Sequence, residues 1–259
     1  MSTALHWMYR QRYARSLLLL WSTSQSLRMF AQEGDFVRSR DVFTRALGNV
    51  FLGVAVGLLG YYGLTSILSW AEQTRLRQEL ERLGSVSASA PDDIDVSLRG
   101  PELDFEGWES QDRAYWDGLA EGDIFGRLVV ERMDLDTIVV KGVRVADLKK
   151  GPGWVTTTAL PGPGGNCGIS GHRTTYLAPF RRIDQLVPGD VIDFYSPYRR
   201  YRYTVVRAFT VTPDKVEVFD PTEVPTLTLT ACHPPYSARY RYIVQAEITG
   251  VRPLEQSGE

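Results

Sequence analysis

Thr226-Leu-Thr-Leu-Thr-Ala-Cys-His-Pro-Pro235 decides how the C-terminal half of this chain reads. Leu227 and Leu229 alternate with Thr226, Thr228 and Thr230. A period of two marks a strand with leucines on one face and threonines on the other. If the extended backbone continues, Cys232 falls on the threonine face. It then points away from the core, just ahead of a Pro-rich loop. A lone cysteine is usually a buried, inert hydrophobe, so Cys232 needs neighbours before it carries chemistry.

Working outward, two more strand-like segments supply them. Upstream, in Gly168-Ile-Ser-Gly-His-Arg-Thr-Thr-Tyr176, alternation places His172 on one face with Gly168 and Ser170. Downstream, Tyr242, Val244, Ala246 and Ile248 make an apolar face, and Arg241, Gln245 and Glu247 lie opposite. His172, Cys232 and Arg241 are thus each presented on the side away from the core. Further strand-like runs cover 127–132, 137–143, 191–194 and 200–210. The breakers between runs are Gly151-Pro-Gly153, Pro161-Gly-Pro-Gly-Gly165, Pro188-Gly-Asp190 and Asp220-Pro221. Short strands at this spacing imply an all-β barrel or sandwich. The stretch 180–186 has room for a single helical turn.

The first half of the chain is different. The 259 residues carry a net charge of only -2, but the charge is blocked. Residues 1–45 hold seven arginines against three acidic side chains, a net of +4, and residues 84–123 net -9. Between them, 46–71 has no charged residue. That run is long and apolar enough to cross a bilayer, which takes about 20 residues. It exceeds the ~7–15 residues of a signal-peptide core, so a cleaved signal is the weaker reading. Arginines precede it, which places the N-terminus in the cytoplasm and the C-terminal region outside. The expected division is a cytoplasmic tail (1–45), one transmembrane helix (46–70), an extracellular linker (71–123) and a β-domain (124–252). Residues 72–83 read as a short charged helix leaving the membrane. Residues 84–91 have linker composition. The acidic stretch reads as a spacer, with one short helix near 111–119 that docks its aromatics. No Lys/Arg stripe points to nucleic acid.

Thr228-Leu-Thr-Ala-Cys232, with His172 upstream and Arg241 downstream, resembles the signature of the sortases, membrane-bound cysteine transpeptidases of Gram-positive cell surfaces. Ala231 stands where that family usually has threonine. Gly171-His-Arg-Thr-Thr-Tyr176, Ala178-Pro-Phe180, Pro188-Gly-Asp190 and Cys232-His-Pro234 are most similar to the class E housekeeping sortases of actinobacteria. The resemblance runs from about Gly126 to about Gly250, roughly half of the chain.

The resemblance implies an eight-stranded sortase-type barrel with Cys232 as nucleophile, His172 as general acid and base, and Arg241 as the donor to the developing oxyanion. Arg239, two residues earlier, competes for the last role. Thr174, Thr175 and Tyr176 would line the substrate groove, Tyr176 being the residue linked to Ala rather than Pro at the second position of the sorting signal. Ala231 would alter oxyanion or substrate contacts by the hydroxyl it lacks. Implied partners are secreted proteins with C-terminal sorting signals, an amine acceptor on lipid II or peptidoglycan, and the membrane. A pilin-polymerising enzyme and a non-catalytic peptide-binding barrel are the alternatives. No cofactor or metal is expected. Zinc sites use close ligand pairs such as Cys-x-x-Cys, and the adjacent Cys232-His233 is a poor chelating pair. Papain-like proteases place Cys before His in the chain, the reverse of the order here. Cys167 alternates with Ile169 toward the core, so it is expected as a buried hydrophobe and not as a disulfide partner.

Overall fold

The computed structural model describes residues 4–82 and 103–254, with side chains described from residue 43 onward. The linker composition at 84–91 and the start of the acidic block lie outside the described residues. Two compact units meet in sequence at Tyr62 and Gly63. The first is helical, formed by the part of α1 (Ala4–Arg82) up to Tyr62. From Phe43 the helix is apolar, with a mean hydropathy of 1.7 over its best window and none of that window buried. Phe51, Leu52, Leu58 and Leu59 are all exposed. By length and composition this helix can cross a membrane.

The second unit is a closed eight-stranded barrel. Its strands are β1 (Ile124–Val130), β2 (Leu135–Lys141), β3 (Gly153–Trp154), β4 (Asn166–Ser170), β5 (Val191–Tyr195), β6 (Arg199–Val211), β7 (Thr226–His233) and β8 (Tyr240–Pro253). Around the barrel they run β1-β2-β3-β4-β7-β8-β6-β5. Closure leaves no strand edge exposed. The pairs β2–β3 and β4–β7 are parallel, and the other pairs are antiparallel.

The start of β6 follows simple alternation. Tyr201, Tyr203 and Val205 point inward and are buried, while Arg200, Arg202 and Thr204 point outward. The parallel pair β4–β7 is instead buried on both faces, as parallel strands covered on two sides are. The inner face is the barrel core. The outer cover is a 3-10 turn, Val216–Phe219, in the connection from β6 to β7.

The core is aromatic. Phe125 stacks on Trp154 at 4.7 Å and on Trp116 at 5.2 Å. Trp116 belongs to the acidic stretch before the barrel. There a π-helical turn (Glu109–Arg113) runs into α2 (Ala114–Asp117). Both Trp108 and Trp116 are buried in the core, and their indole N–H groups donate to Pro161 O (3.0 Å) and Phe125 O (2.8 Å). Asp112 pairs with Arg199, both fully buried, and also accepts from Ser196. Breaking a buried pair of this kind costs about 3–5 kcal/mol, because the partner charge is stranded. The described end of the expected spacer is therefore part of the barrel's packing.

The C-terminal end of α1, which lies in the second unit, docks on β2. Gln73, Leu76 and Leu80 share one helix face by their i, i+3, i+7 spacing. Leu76 and Leu80 bury against Ile124, Ile138 and Val140. The Gln73 amide donates to Ile138 O (3.1 Å) and Lys150 O (2.6 Å), and accepts from Ile138 N (2.9 Å). Arg77 adds an ion pair to Asp136 at 2.9 Å. Charge balance along 72–83 concealed this apolar face.

Candidate active site

Three strands of the barrel converge on Cys232. In the antiparallel register of β7 with β8, Cys232 lies directly opposite Arg241. Residues so paired share a face, with Cβ atoms about 4.5–5.5 Å apart. In the parallel register of β4 with β7, Ser170 pairs with Thr230. One residue further on, Gly171 N–H donates to Thr230 O at 3.0 Å. His172 therefore leaves β4 at the level of Cys232. Alternation puts Ser170, Thr230, Cys232 and Arg241 on the outer face.

The environment of each group sets its chemistry. Cys232 is a free, half-buried thiol. Cys167 is also free but fully buried, and burial pushes its thiol pKa far up, which holds it protonated and inert. His172 is half-buried, and loss of hydration lowers its pKa below the ordinary imidazole value. The imidazole is thus neutral at neutral pH and free to accept a proton. Its backbone carbonyl accepts from Phe180 N–H (3.0 Å), and its ring lies 5.2 Å from that of Tyr176. Arg241 donates from Nη1 to Ala238 O (3.1 Å) and Tyr240 O (3.2 Å). Those bonds occupy one nitrogen of a five-donor fork.

Beside these groups is a cavity of about 300 Å³, lined by Ser170, Thr230, Arg241, Ile243, Val216 and Phe219 among others. The Val216–Phe219 turn forms its outer wall and is pinned from below. Val218 O accepts from both Asn166 Nδ2 (2.9 Å) and Gln245 Nε2 (3.0 Å). Thr228 joins the two amides, donating to Asn166 Oδ1 at 2.7 Å and accepting from Gln245 at 3.2 Å. The threonine face, which alternation alone makes a polar outer surface, is therefore the floor of a covered groove. Gly168 lies on that floor, and a Cβ there would fall 2.7 Å from the Phe219 ring.

The other residues singled out by sequence are spread more widely. Thr174 and Tyr176 are half-buried and Thr175 is exposed, all in the loop after His172. The ammonium of Lys149 lies 5.8 Å from the centre of the Tyr176 ring. Tyr176, Leu177 and Ala178 all have positive φ (49°, 64° and 47°), a strained run of the kind found where a loop must present a side chain. Arg239 is exposed in the turn before β8, stacked on Tyr240 at 5.3 Å. Ala231 is only 2% exposed and belongs to the barrel core. Its methyl is on the opposite face from Cys232, because neighbouring strand residues point to opposite sides. Its side chain faces the core and does not line the groove, so the hydroxyl it lacks would not have pointed into the groove.

Sequence reasoning assigned no role to Arg173 and set His233 aside as half of a poor chelating pair; both sit behind this face. Arg173 is 3% exposed. Its Nη1 lies 2.7 Å from His233 Nδ1, and its Nη2 lies 2.5 Å from Asp184. The ring of Tyr242 packs against both, at 6.0 Å from the guanidinium and 5.5 Å from the imidazole. The available signal was the same alternation. A residue after His172 and a residue after Cys232 both fall on the far face, where they can meet.

This architecture has known counterparts. A family model described as the sortase domain matches residues 128–249, a span that contains His172, Cys232 and Arg241. A solved structure of the SrtA sortase from Actinomyces oris is 30% identical, with a TM-score of 0.50, over 54% of this chain and 87% of that one. The chain belongs to the sortase family. Sortase SrtE1 of Streptomyces coelicolor is 28% identical over 228 residues, covering 82% of this chain and 59% of that protein. The similarity to SrtE1 thus extends well beyond the barrel. A Clostridium perfringens sortase D5 transpeptidase, 22% identical, shares the fold with a TM-score of 0.55 over 69% of this chain and 98% of that one. The chain spans about three-fifths of the length of the curated sortases it matches, between 56% and 61% for three of them.

Proposed function

We propose that this sortase is a membrane-anchored cysteine transpeptidase that cleaves a C-terminal sorting signal of Leu-Ala-x-Thr-Gly or Leu-Pro-x-Thr-Gly type between Thr and Gly. The observation that carries the proposal is the cross-strand pairing of Cys232 with Arg241, at the level where His172 leaves β4. In the first half-reaction neutral His172 takes the Cys232 thiol proton as the sulfur attacks the threonine carbonyl carbon. The carbonyl oxygen becomes an oxyanion, and the free guanidinium N–H groups of Arg241 donate to it. Collapse breaks the C–N bond, and His172 gives its proton to the departing glycine amine. A thioester remains on Cys232. In the second half-reaction neutral His172 takes a proton from an incoming amine as the amine attacks the thioester, and returns that proton to the departing Cys232 sulfur.

The acceptor proposed is an amine on lipid II or a peptidoglycan precursor, and the product is a protein covalently joined to the cell wall. The groove walled by the Val216–Phe219 turn has room for the residues before threonine, and Tyr176 with Thr174 and Thr175 would border the far end. The apolar part of α1 serves in this reading as the anchor, with the N-terminus cytoplasmic and the barrel outside. Both substrates are then held at the same membrane as the enzyme. The test is mass spectrometry of the protein incubated with a Leu-Ala-x-Thr-Gly peptide. A thioester adduct on Cys232 that disappears when a glycine-type amine is added, with ligated peptide released, supports the reading. Turnover that survives Cys232→Ala refutes it.

A further inference from the structure

We propose that Arg173 and His233 are positioning residues whose side-chain bridge sets the separation of His172 and Cys232, an inference that rests on the reading of those two as catalytic. Arg173 directly follows His172 and His233 directly follows Cys232. The bridge between them, 2.7 Å from Nη1 to Nδ1, therefore ties the two reacting residues together from behind. Backbone pairing does not extend this far. The β4–β7 register ends at Ser170 and Thr230, with one more bond from Gly171 N to Thr230 O. Past that point β7 continues to His233, while the chain after β4 turns into the strained loop at Tyr176–Ala178. A side-chain link is what holds the loop to the strand where the chemistry occurs.

The composition of the link fits positioning better than packing. Arg173 is buried and its Nε has no hydrogen-bond partner among the described residues. An unpaired buried N–H carries a desolvation cost that an apolar side chain of the same size would avoid. The arginine is kept for its two ends. Nη2 is anchored on Asp184, in the 3-10 turn Ile183–Gln185, and Nη1 reaches His233. A guanidinium has no lone pair, so His233 Nδ1 must accept and its ring must be neutral with the proton on Nε2. Arg173 faces the imidazole from the loop after β4, and Tyr242 faces it from β8, where Tyr240 is its register partner. The bridge is directional and has a defined length, whereas a hydrophobic contact would let the loop slide. Displacement of a catalytic group by about 1 Å can cost 100-fold in rate.

The test uses the full chain in detergent micelles, with a Leu-Ala-x-Thr-Gly peptide and a glycine-type amine as substrates. His233→Leu removes the acceptor at similar volume. His233→Asn keeps one, since its Oδ1 can take the bond from Arg173. The expected result is a kcat at least about tenfold lower in the Leu variant with KM little changed, and recovery to within about threefold of the native rate in the Asn variant. Equal rates in the Leu variant and the native protein would overturn the inference. So would an Asn variant as slow as the Leu variant at an unchanged melting temperature. Should the Leu variant fail to fold, Asp184→Asn decides, because that carboxyl is 43% exposed and its loss frees Arg173 without opening the core. A several-fold fall in kcat supports the bridge, and an unchanged kcat sinks it. Cys232→Ala, run in parallel, separates the two levels: turnover in that variant removes the catalytic reading itself, whatever position 233 does.

Discussion

Cys232 and Arg241 stand opposite each other across the antiparallel pairing of β7 and β8, so the thiol and the guanidinium share one face of the sheet. Arg239 lies two residues earlier, exposed in the turn and stacked on Tyr240. The two arginines therefore make different predictions. Loss of an oxyanion donor typically costs about 100- to 1,000-fold in kcat. Arg241→Ala should show a loss of that size in acyl-enzyme formation, read as the rate of adduct growth on Cys232. Arg241→Lys keeps the charge but not the fork, so it should recover only part of the rate. Arg239→Ala should stay within a few-fold of the native enzyme. The reverse ranking would move the oxyanion role to Arg239.

Much of the barrel was legible because period-two alternation survives wherever one face is buried. The first part of β6 is the clearest case, with tyrosines inside and arginines outside. What alternation could not supply was β3, only Gly153–Trp154, which reads as part of a Gly-Pro-Gly breaker. It exists because Gly153 lets the backbone approach that of Gly142, where any Cβ would collide. The three front residues of the candidate site could be picked out for a related reason, Cys232 and Arg241 being on the outer side of their strands and His172 following just after the end of β4. The cover and the back of the site could not. Nothing local ties Val216–Phe219 to Asn166 and Gln245, or Asp184 to Arg173, since those bonds join segments far apart in sequence. Charge patterning was actively misleading at 72–83, where it drew the eye from Gln73, Leu76 and Leu80.

Gln73 makes a second prediction, about stability. Its amide satisfies Ile138 N–H, Ile138 O and Lys150 O at once. Gln73→Leu leaves those groups unpaired under the helix, which should cost about 1–3 kcal/mol. Leu80→Ala, at a side chain only 2% exposed, should cost about 2–5 kcal/mol. A fragment of residues 103–259 should unfold at a lower denaturant concentration than one of 63–259, because it exposes Ile124, Ile138 and Val140. Equal midpoints for the two fragments would mean that the docked helix adds nothing to the barrel.

Gly168 and Phe219 make a third, which reports on the groove wall. A methyl at 168 would sit 2.7 Å from the Phe219 ring, so Gly168→Ala must push the Val216–Phe219 turn outward. Overpacking of this kind costs about 1–3 kcal/mol. Because the displaced turn lines the cavity beside Arg241, peptide KM should rise with the loss of stability. Phe219→Ala removes the obstacle, so the double variant should be more stable than the sum of the single effects by about 1 kcal/mol or more. Strict additivity in denaturant melts would show that the turn is not held against β4 as described.

His172 makes the fourth prediction, through pH. Burial lowers its pKa below the ordinary value of 6.5, so the neutral imidazole persists to lower pH than in an exposed histidine. A titration of its ring protons by NMR should give a midpoint under 6.5, and a midpoint above it would contradict the desolvated environment. In the aminolysis step the neutral ring is the base, so, once the protonation of the attacking amine is divided out, the rate of thioester resolution should show a further fall as the pH drops through that lowered midpoint. The same shift couples to folding. Between 6.5 and the folded-state value the unfolded chain binds a proton that the folded protein does not. Stability from this group is thus fully present above 6.5 and declines on acidification until the pH passes the folded midpoint. His172→Gln should flatten that part of the stability profile while abolishing transfer. Were the profile unchanged in the Gln variant, the acid sensitivity would belong to another group.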